Sequence, residues 1–152
     1  MRIREYTFED AEAHAEVHSQ SVRGIASKDY SQEEVEAWVK EEPEDEQLPE
    51  EKERFVAETE EGEIVGFSDY NKEEKELTGL YIKPEYSETG LAPKLLSKAE
   101  KAAKEDGIEK LTCISTITAK NFYQRQGYKI REKTNHQIED QELTVYKIEK
   151  EL

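Results

Sequence analysis

The stretch Leu80-Tyr81-Ile82-Lys83-Pro84-Glu85-Tyr86-Ser87-Glu88-Thr89-Gly90-Leu91-Ala92-Pro93-Lys94-Leu95-Leu96 has the clearest chemistry in this chain. A strand-like run ends at Pro84, a short polar loop carries Gly90, and an amphipathic helical pattern begins at once. The first N–H groups of a helix have no partner inside it and carry the positive end of its dipole. Such a turn is an anion site, and pyrophosphate fits it. Gly90 would let the backbone approach phosphate oxygens closely, and Pro93 suits the first helical turn, where its missing N–H costs nothing. The loop lacks the Gly-Lys-Ser/Thr ending of a P-loop and the glycine pattern of a dinucleotide fingerprint. Taken alone, it also reads as an ordinary strand-to-helix turn.

Other reactive residue types carry less. His14 and His18 are four apart on one helical face, a spacing that can hold a metal, but a third ligand and an intervening Glu motif are missing. Half-buried histidines are the better reading, and no metal is expected. Cys113 is the single cysteine. It excludes an internal disulfide or a cysteine metal cluster. Its apolar setting, Leu111-Thr112-Cys113-Ile114, favours a buried small hydrophobe over a nucleophile.

These residues must be positioned by a succession of short elements. Arg2 to Tyr6 reads as an opening strand, and Thr7 starts a helix with Asp10 in a partial capping box. Ser31-Gln32-Glu33-Glu34 is a capping box for a second helix with the stripe Val35, Trp38, Val39. From Glu41 to Glu53 the chain is acidic and contains Pro43 and Pro49, which predicts an exposed loop, either a solvating segment or a lid over a basic acceptor. Arg54–Glu58 and Ile64–Tyr70 flank the turn at Gly62 as a hairpin, and a strand spans Glu76 to Ile82. A helix from about Gly90 to Asp106 is closed by Gly107. Then come a strand (Leu111–Ser115), a short helix (Ala119–Gln126) and a closing strand pair (Tyr128–Lys133, Glu142–Ile148). There is no repeat, and residues 1–152 read as a single domain.

The formal net charge of -15 and the charged fraction of 39% are high for 152 residues. Leu, Ile, Val and Phe fall just under the roughly 20% that, with such charge, warns of disorder. Periodic placement of the apolar residues argues for a folded chain instead. The acidity disfavours nucleic acid, whose phosphates would be repelled. Spread along the whole chain, it fits a salt-adapted, halophilic surface, or a field that attracts cations. No apolar run reaches membrane-spanning length and no secretory leader is apparent, so no membrane partner and a cytoplasmic location are expected.

The loop resembles the acetyl-CoA signature of the GNAT superfamily of N-acetyltransferases, Gln/Arg-x-x-Gly-x-Gly/Ala before a Leu-rich helix. Here the six positions are Ser87-Glu88-Thr89-Gly90-Leu91-Ala92. Downstream, Thr116-Ile117-Thr118-Ala119-Lys120-Asn121-Phe122-Tyr123 and Gln124-Arg125-Gln126-Gly127-Tyr128 resemble the family's Asn-x-x-Ala-x-x-Leu/Phe-Tyr-x-x-x-Gly-Phe/Tyr segment. The order of elements matches over nearly the whole chain. The resemblance implies an α/β fold: a mixed, mostly antiparallel twisted sheet with helices on both faces and a splayed parallel strand pair. It implies that Leu80, Tyr81 and Ile82 bind the pantetheine arm through backbone groups, and that Ser87 to Ala92 hold the pyrophosphate, with Thr116 on the cofactor side. It implies that Tyr123 protonates the departing thiolate, against a simple packing role. Glu76, eleven residues before Ser87, matches a general base of some relatives, against a solvated strand residue. His136 is a second candidate base with no further support. The sequence departs from the pattern at Ser87, Thr89 and Thr116, and Glu88 sets a negative charge beside the phosphates.

The reading is direct transfer of an acetyl group from acetyl-CoA to a small-molecule amine or protein amine. Its rival is a catalytically weak CoA-binding sensor module, and a ligand-free structural domain comes third. Many relatives pair through their last strands, so a homodimer is open.

Overall fold

The computed structural model describes residues 1–41 and 48–152. Part of the acidic segment predicted as a loop or lid, residues 42–47, lies outside the described residues. One seven-stranded sheet organises the rest, in the order β1-β2-β3-β4-β5-β7-β6. Its strands are β1 (Arg2–Glu5), β2 (Lys52–Glu58), β3 (Ile64–Asn71), β4 (Glu76–Ile82), β5 (Lys110–Thr116), β6 (Lys129–Ile138) and β7 (Gln141–Glu151). Every neighbouring pair is antiparallel except β4 with β5.

The local signals in the sequence act where they stand. The Thr7 N–H donates to Asp10 Oδ2 at 2.9 Å, and a single 3-10 turn (Phe8–Asp10) leads into α1 (Ala11–Gly24). Ser31 Oγ accepts from the Glu34 N–H and Glu34 Oε1 accepts from the Ser31 N–H, a complete capping box for α2 (Gln32–Lys40). Gly90, left-handed at φ 87°, precedes α3 (Leu91–Glu105), and Gly107, at the same φ, follows it. The short α4 (Lys120–Arg125) ends before Gly127, also at positive φ.

Alternation along β3 shows the layering. Phe67 points to α1, its ring centroid 4.0 Å from that of His14. On the other face Ser68 Oγ donates to the Leu95 carbonyl of α3 at 2.9 Å, and Tyr70 donates to Asp106 at 2.5 Å. Thus α1 and α2 cover one face and α3 the other. Leu95, Leu96, Ala99 and Ala103 of α3 are essentially inaccessible to solvent. Burial of each large side chain of this kind contributes about 1.5–3 kcal/mol. Among the described residues no helix is long and apolar enough to cross a membrane.

Two features differ from the sequence reading. The closing strands are longer than expected, β6 reaching Ile138, because its polar, mostly exposed residues carry no apolar period and only pairing with β7 defines it. His14 and His18 are fully buried, at 2% and 5% exposure, rather than half-buried. Desolvation lowers their pKa values to about 3 and about 4. Cys113 is buried as expected.

Candidate active site

The parallel pair makes the opening. β4 and β5 are in register only at Glu76 with Thr112 and Leu77 with Cys113. Beyond that point β4 stays with β3 as far as Ile82, and β5 stays with β7 as far as Thr116. The two strands therefore part, and the inner edge of β4 loses its neighbour. A register irregularity opposite Asp69 and Tyr70 lies in the same stretch of β4, where a bulge re-aims the backbone. The gap opens into a cleft of about 740 Å³ that passes through the sheet.

The cleft gathers most of the residues singled out from sequence. Leu80, Tyr81 and Ile82 line it from β4, and Thr116 lines it from β5. Ser87, Glu88, Gly90 and Ala92 line it from the loop, whereas Thr89 and Leu91 do not. Leu91 is turned into the core at 4% exposure and fixes the start of α3. The loop is held by its own hydroxyls. Ser87 Oγ donates to the Pro84 carbonyl at 2.8 Å, and Thr89 Oγ1 donates to the Tyr86 carbonyl at 2.5 Å. The Ser87 N–H also donates to Pro84, leaving the N–H groups of Glu88, Thr89 and Gly90 without a backbone acceptor in the turn. Thr116 Oγ1 accepts from the Ala119 N–H at 3.0 Å and so starts the turn into α4.

Glu76 and Tyr123 lie on the same cleft. Glu76 is half-buried at the crotch of the splay. Burial, aided by the Glu74 charge and opposed by Lys52, raises its pKa. Tyr123 is 5% exposed, and burial holds its phenol well above the usual value, with a contribution from the neighbouring Cys113 thiol. Burial likewise pushes the Cys113 thiol up to about 12, so it stays a protonated, unreactive neighbour. Both groups are buried in one apolar cluster with Tyr128 and Leu77.

Sequence reasoning missed several contributors. Tyr30 bridges two segments of the cleft wall: its hydroxyl donates to the Thr144 carbonyl at 2.7 Å and accepts from the Ile117 N–H at 2.9 Å. Burial raises its pKa to about 12. Arg125 lines the cleft from the end of α4. Its signal was a basic residue three before Tyr128 in the second motif. His136, already a candidate base from the sequence, is on β6 and stands at the mouth with Nε2 3.5 Å from Glu41 Oε1.

Comparison with known proteins accords with this geometry. Residues 26–152 match the family model described as "Acetyltransferase (GNAT) domain". The chain belongs to the GNAT acetyltransferase family. It is 30% identical over 147 residues to spermidine N(1)-acetyltransferase of Thermoplasma acidophilum, covering 87% of this chain and 90% of that protein. A solved GCN5-related N-acetyltransferase from Rhodopseudomonas palustris superposes with a TM-score of 0.91 at 26% identity, over 99% of this chain and 95% of that one. The PaiA N-acetyltransferase of Thermoplasma acidophilum, solved in complex with coenzyme A, superposes with a TM-score of 0.80 at 26% identity, over 99% and 98%. The sheet with its single parallel pair is this family's fold, and the protein is an acyltransferase.

Proposed function

We propose that the protein transfers the acetyl group of acetyl-CoA directly to a primary amine, with acetyl-CoA lying through the splay between β4 and β5. The observation that carries this reading is the convergence on one cleft of three things: an unpaired strand edge, a helix start rich in free N–H groups, and a buried phenol. In this reading the N–H groups of Glu88 to Ala92 hold the pyrophosphate. The Ser87 and Thr89 side chains act by fixing the loop, since their hydroxyls are spent on Pro84 and Tyr86. Backbone groups of Leu80 to Ile82 pair with the pantetheine arm as a neighbouring strand would.

Glu76 takes the proton from the amine, directly or through water, and its raised pKa makes it a better base than an exposed carboxylate. The amine nitrogen forms its bond to the thioester carbon, and a backbone N–H of β4 meets the oxygen as its charge grows. When the carbon–sulfur bond breaks, Tyr123 donates its proton to the sulfur. Burial keeps that phenol protonated at neutral pH, so the donor is always loaded. Spermidine belongs in the panel of acceptors, because a relative at 30% identity is named for it.

The test is a calorimetric titration of acetyl-CoA at low and at molar KCl, followed by CoA release with a panel of amines. Saturable binding at one per chain with amine-dependent CoA release is the expected result. Binding without release from any amine would favour a sensor module, and no binding in either salt would overturn the reading.

A further inference from the structure

A second, smaller cavity opens beside the reaction cleft on the α1 face of the sheet. It has a volume of about 270 Å³, and Trp38, Glu41, Thr78 and Tyr81 line both it and the cleft. A molecule whose amine reached the thioester from that side could extend into it without crossing the protein. The wall is polar where the core of a domain is usually apolar. Arg54 of β2 and Asp69 of β3 face it, Nε to Oδ2 at 2.8 Å, with side chains 2% and 4% exposed. Asp69 Oδ1 is taken by the Thr78 hydroxyl at 2.5 Å.

Two polar atoms in this wall are left over. Arg54 Nη1 and His14 Nε2 are buried and have no hydrogen-bond partner among the described residues. A buried guanidinium N–H without an acceptor is costly to leave unmet, so such a group calls for a ligand atom. That atom must accept. An ammonium offers only donors and would face a like charge. Four ionised side chains line the well, Arg54 and half-buried Lys52 against Asp69 and Glu41, and their formal charges balance. In a chain of net charge -15, a balanced wall repels a carboxylate less than the surface at large.

We propose that the well is the second subsite of the acceptor and takes a carboxylate on Arg54 Nη1, so that the preferred acceptor is an amino carboxylate and not a bare polyamine. The inference rests on the acetyl-transfer reading above and names its substrate class.

The test compares kcat/KM, by CoA release from acetyl-CoA, for amino carboxylates of increasing length against alkylamines lacking only the carboxylate. Glycine, 4-aminobutyrate and 6-aminohexanoate are paired with methylamine, propylamine and pentylamine, with spermidine alongside. At least one amino carboxylate is expected to exceed its partner tenfold and to exceed spermidine. Lys52→Gln, which leaves the Arg54–Asp69 pair intact, is expected to cut that ratio several-fold, and Arg54→Lys more so. Should Arg54→Lys fail to fold, Lys52→Gln still reads the well. Ratios near one in every pair, a preference for spermidine, or a tenfold preference that neither variant alters would each overturn the proposal and leave acetyl transfer standing. No CoA release from any amine would instead remove the acetyl-transfer reading, and this proposal with it.

Discussion

Replacing Asp69 by Asn isolates one charge in the most enclosed ion pair among the described residues. The substitution keeps the shape and one acceptor oxygen but leaves the Arg54 guanidinium opposite a neutral amide, with an Arg54 side chain only 2% exposed. Breaking a buried pair by removing one charge costs about 3–5 kcal/mol. A neutral hydrogen bond to the amide oxygen reduces that by about 1 kcal/mol. The guanidinium carbon also lies 4.9 Å from the Tyr6 ring centroid and 5.7 Å from that of Phe67, but these ring contacts are the same before and after the substitution and do not enter the difference. The expected loss is therefore roughly 2–4 kcal/mol, against a typical total of about 5–15 kcal/mol. With about 2.1 cal/mol/K of unfolding entropy per residue, that lowers Tm by roughly 6–12 °C. Urea and thermal melts at pH 7 followed by fluorescence of Trp38, the only tryptophan and 8% exposed, measure both quantities. A loss below about 1 kcal/mol, the level of a surface ion pair, would refute the assignment of a desolvated charge. Arg54→Met with Asp69→Leu should be more stable than Asp69→Asn alone, because no charge is then stranded.

Four further outcomes follow from the same structure. Tyr123→Phe removes the proposed proton donor without changing the shape of the cleft, so kcat should fall about 100-fold or more with acetyl-CoA affinity within a few-fold; unchanged turnover would end that role. Gly24→Ala would place a methyl group into the Pro84 ring, which leads into the signature loop, so the KM for acetyl-CoA should rise several-fold in steady-state assays, with no gain in stability despite alanine's better helix propensity. The folded pKa of His14, about 3, lies below the unfolded value near 6.5, so its contribution is complete above pH 6.5 and is lost as pH falls towards 3. Melts between pH 7 and 5 should show a loss of at most about 1.4 kcal/mol per pH unit from this group, and His14→Leu should flatten the slope. Acetyl-CoA should bind more tightly at molar KCl than at low salt, since screening weakens the repulsion of its phosphates by Glu88 and by the net charge of -15; titrations showing weaker binding at high salt would contradict this.

What the sequence determined by itself was local. The Ser31 and Glu34 capping box, the glycines after α3 and α4, and the strand–loop–helix run from Leu80 to Leu96 act through bonds within a few residues of one another, so their spacing is their structure. The family motifs around Gly90 and Tyr123 carried the fold and the reaction class for the same reason. Tertiary structure decided what depends on register. The splay, expected beforehand only through the family resemblance, exists because β4 and β5 are paired at only two positions, and nothing in Thr78 to Ile82 itself records that its partner leaves. The β2–β3 register sets Arg54 opposite Asp69, fifteen residues away, in a stretch that reads from sequence as a plain hairpin. Tyr30 joins Thr144 to Ile117 across distances that no local rule spans. Gly24, the last residue of α1, leaves the space that the Pro84 ring needs, sixty residues on. Helix signals and loop chemistry are short-range and survive in one dimension, whereas a cleft wall is assembled from strands whose order is settled only by the packing of the whole sheet.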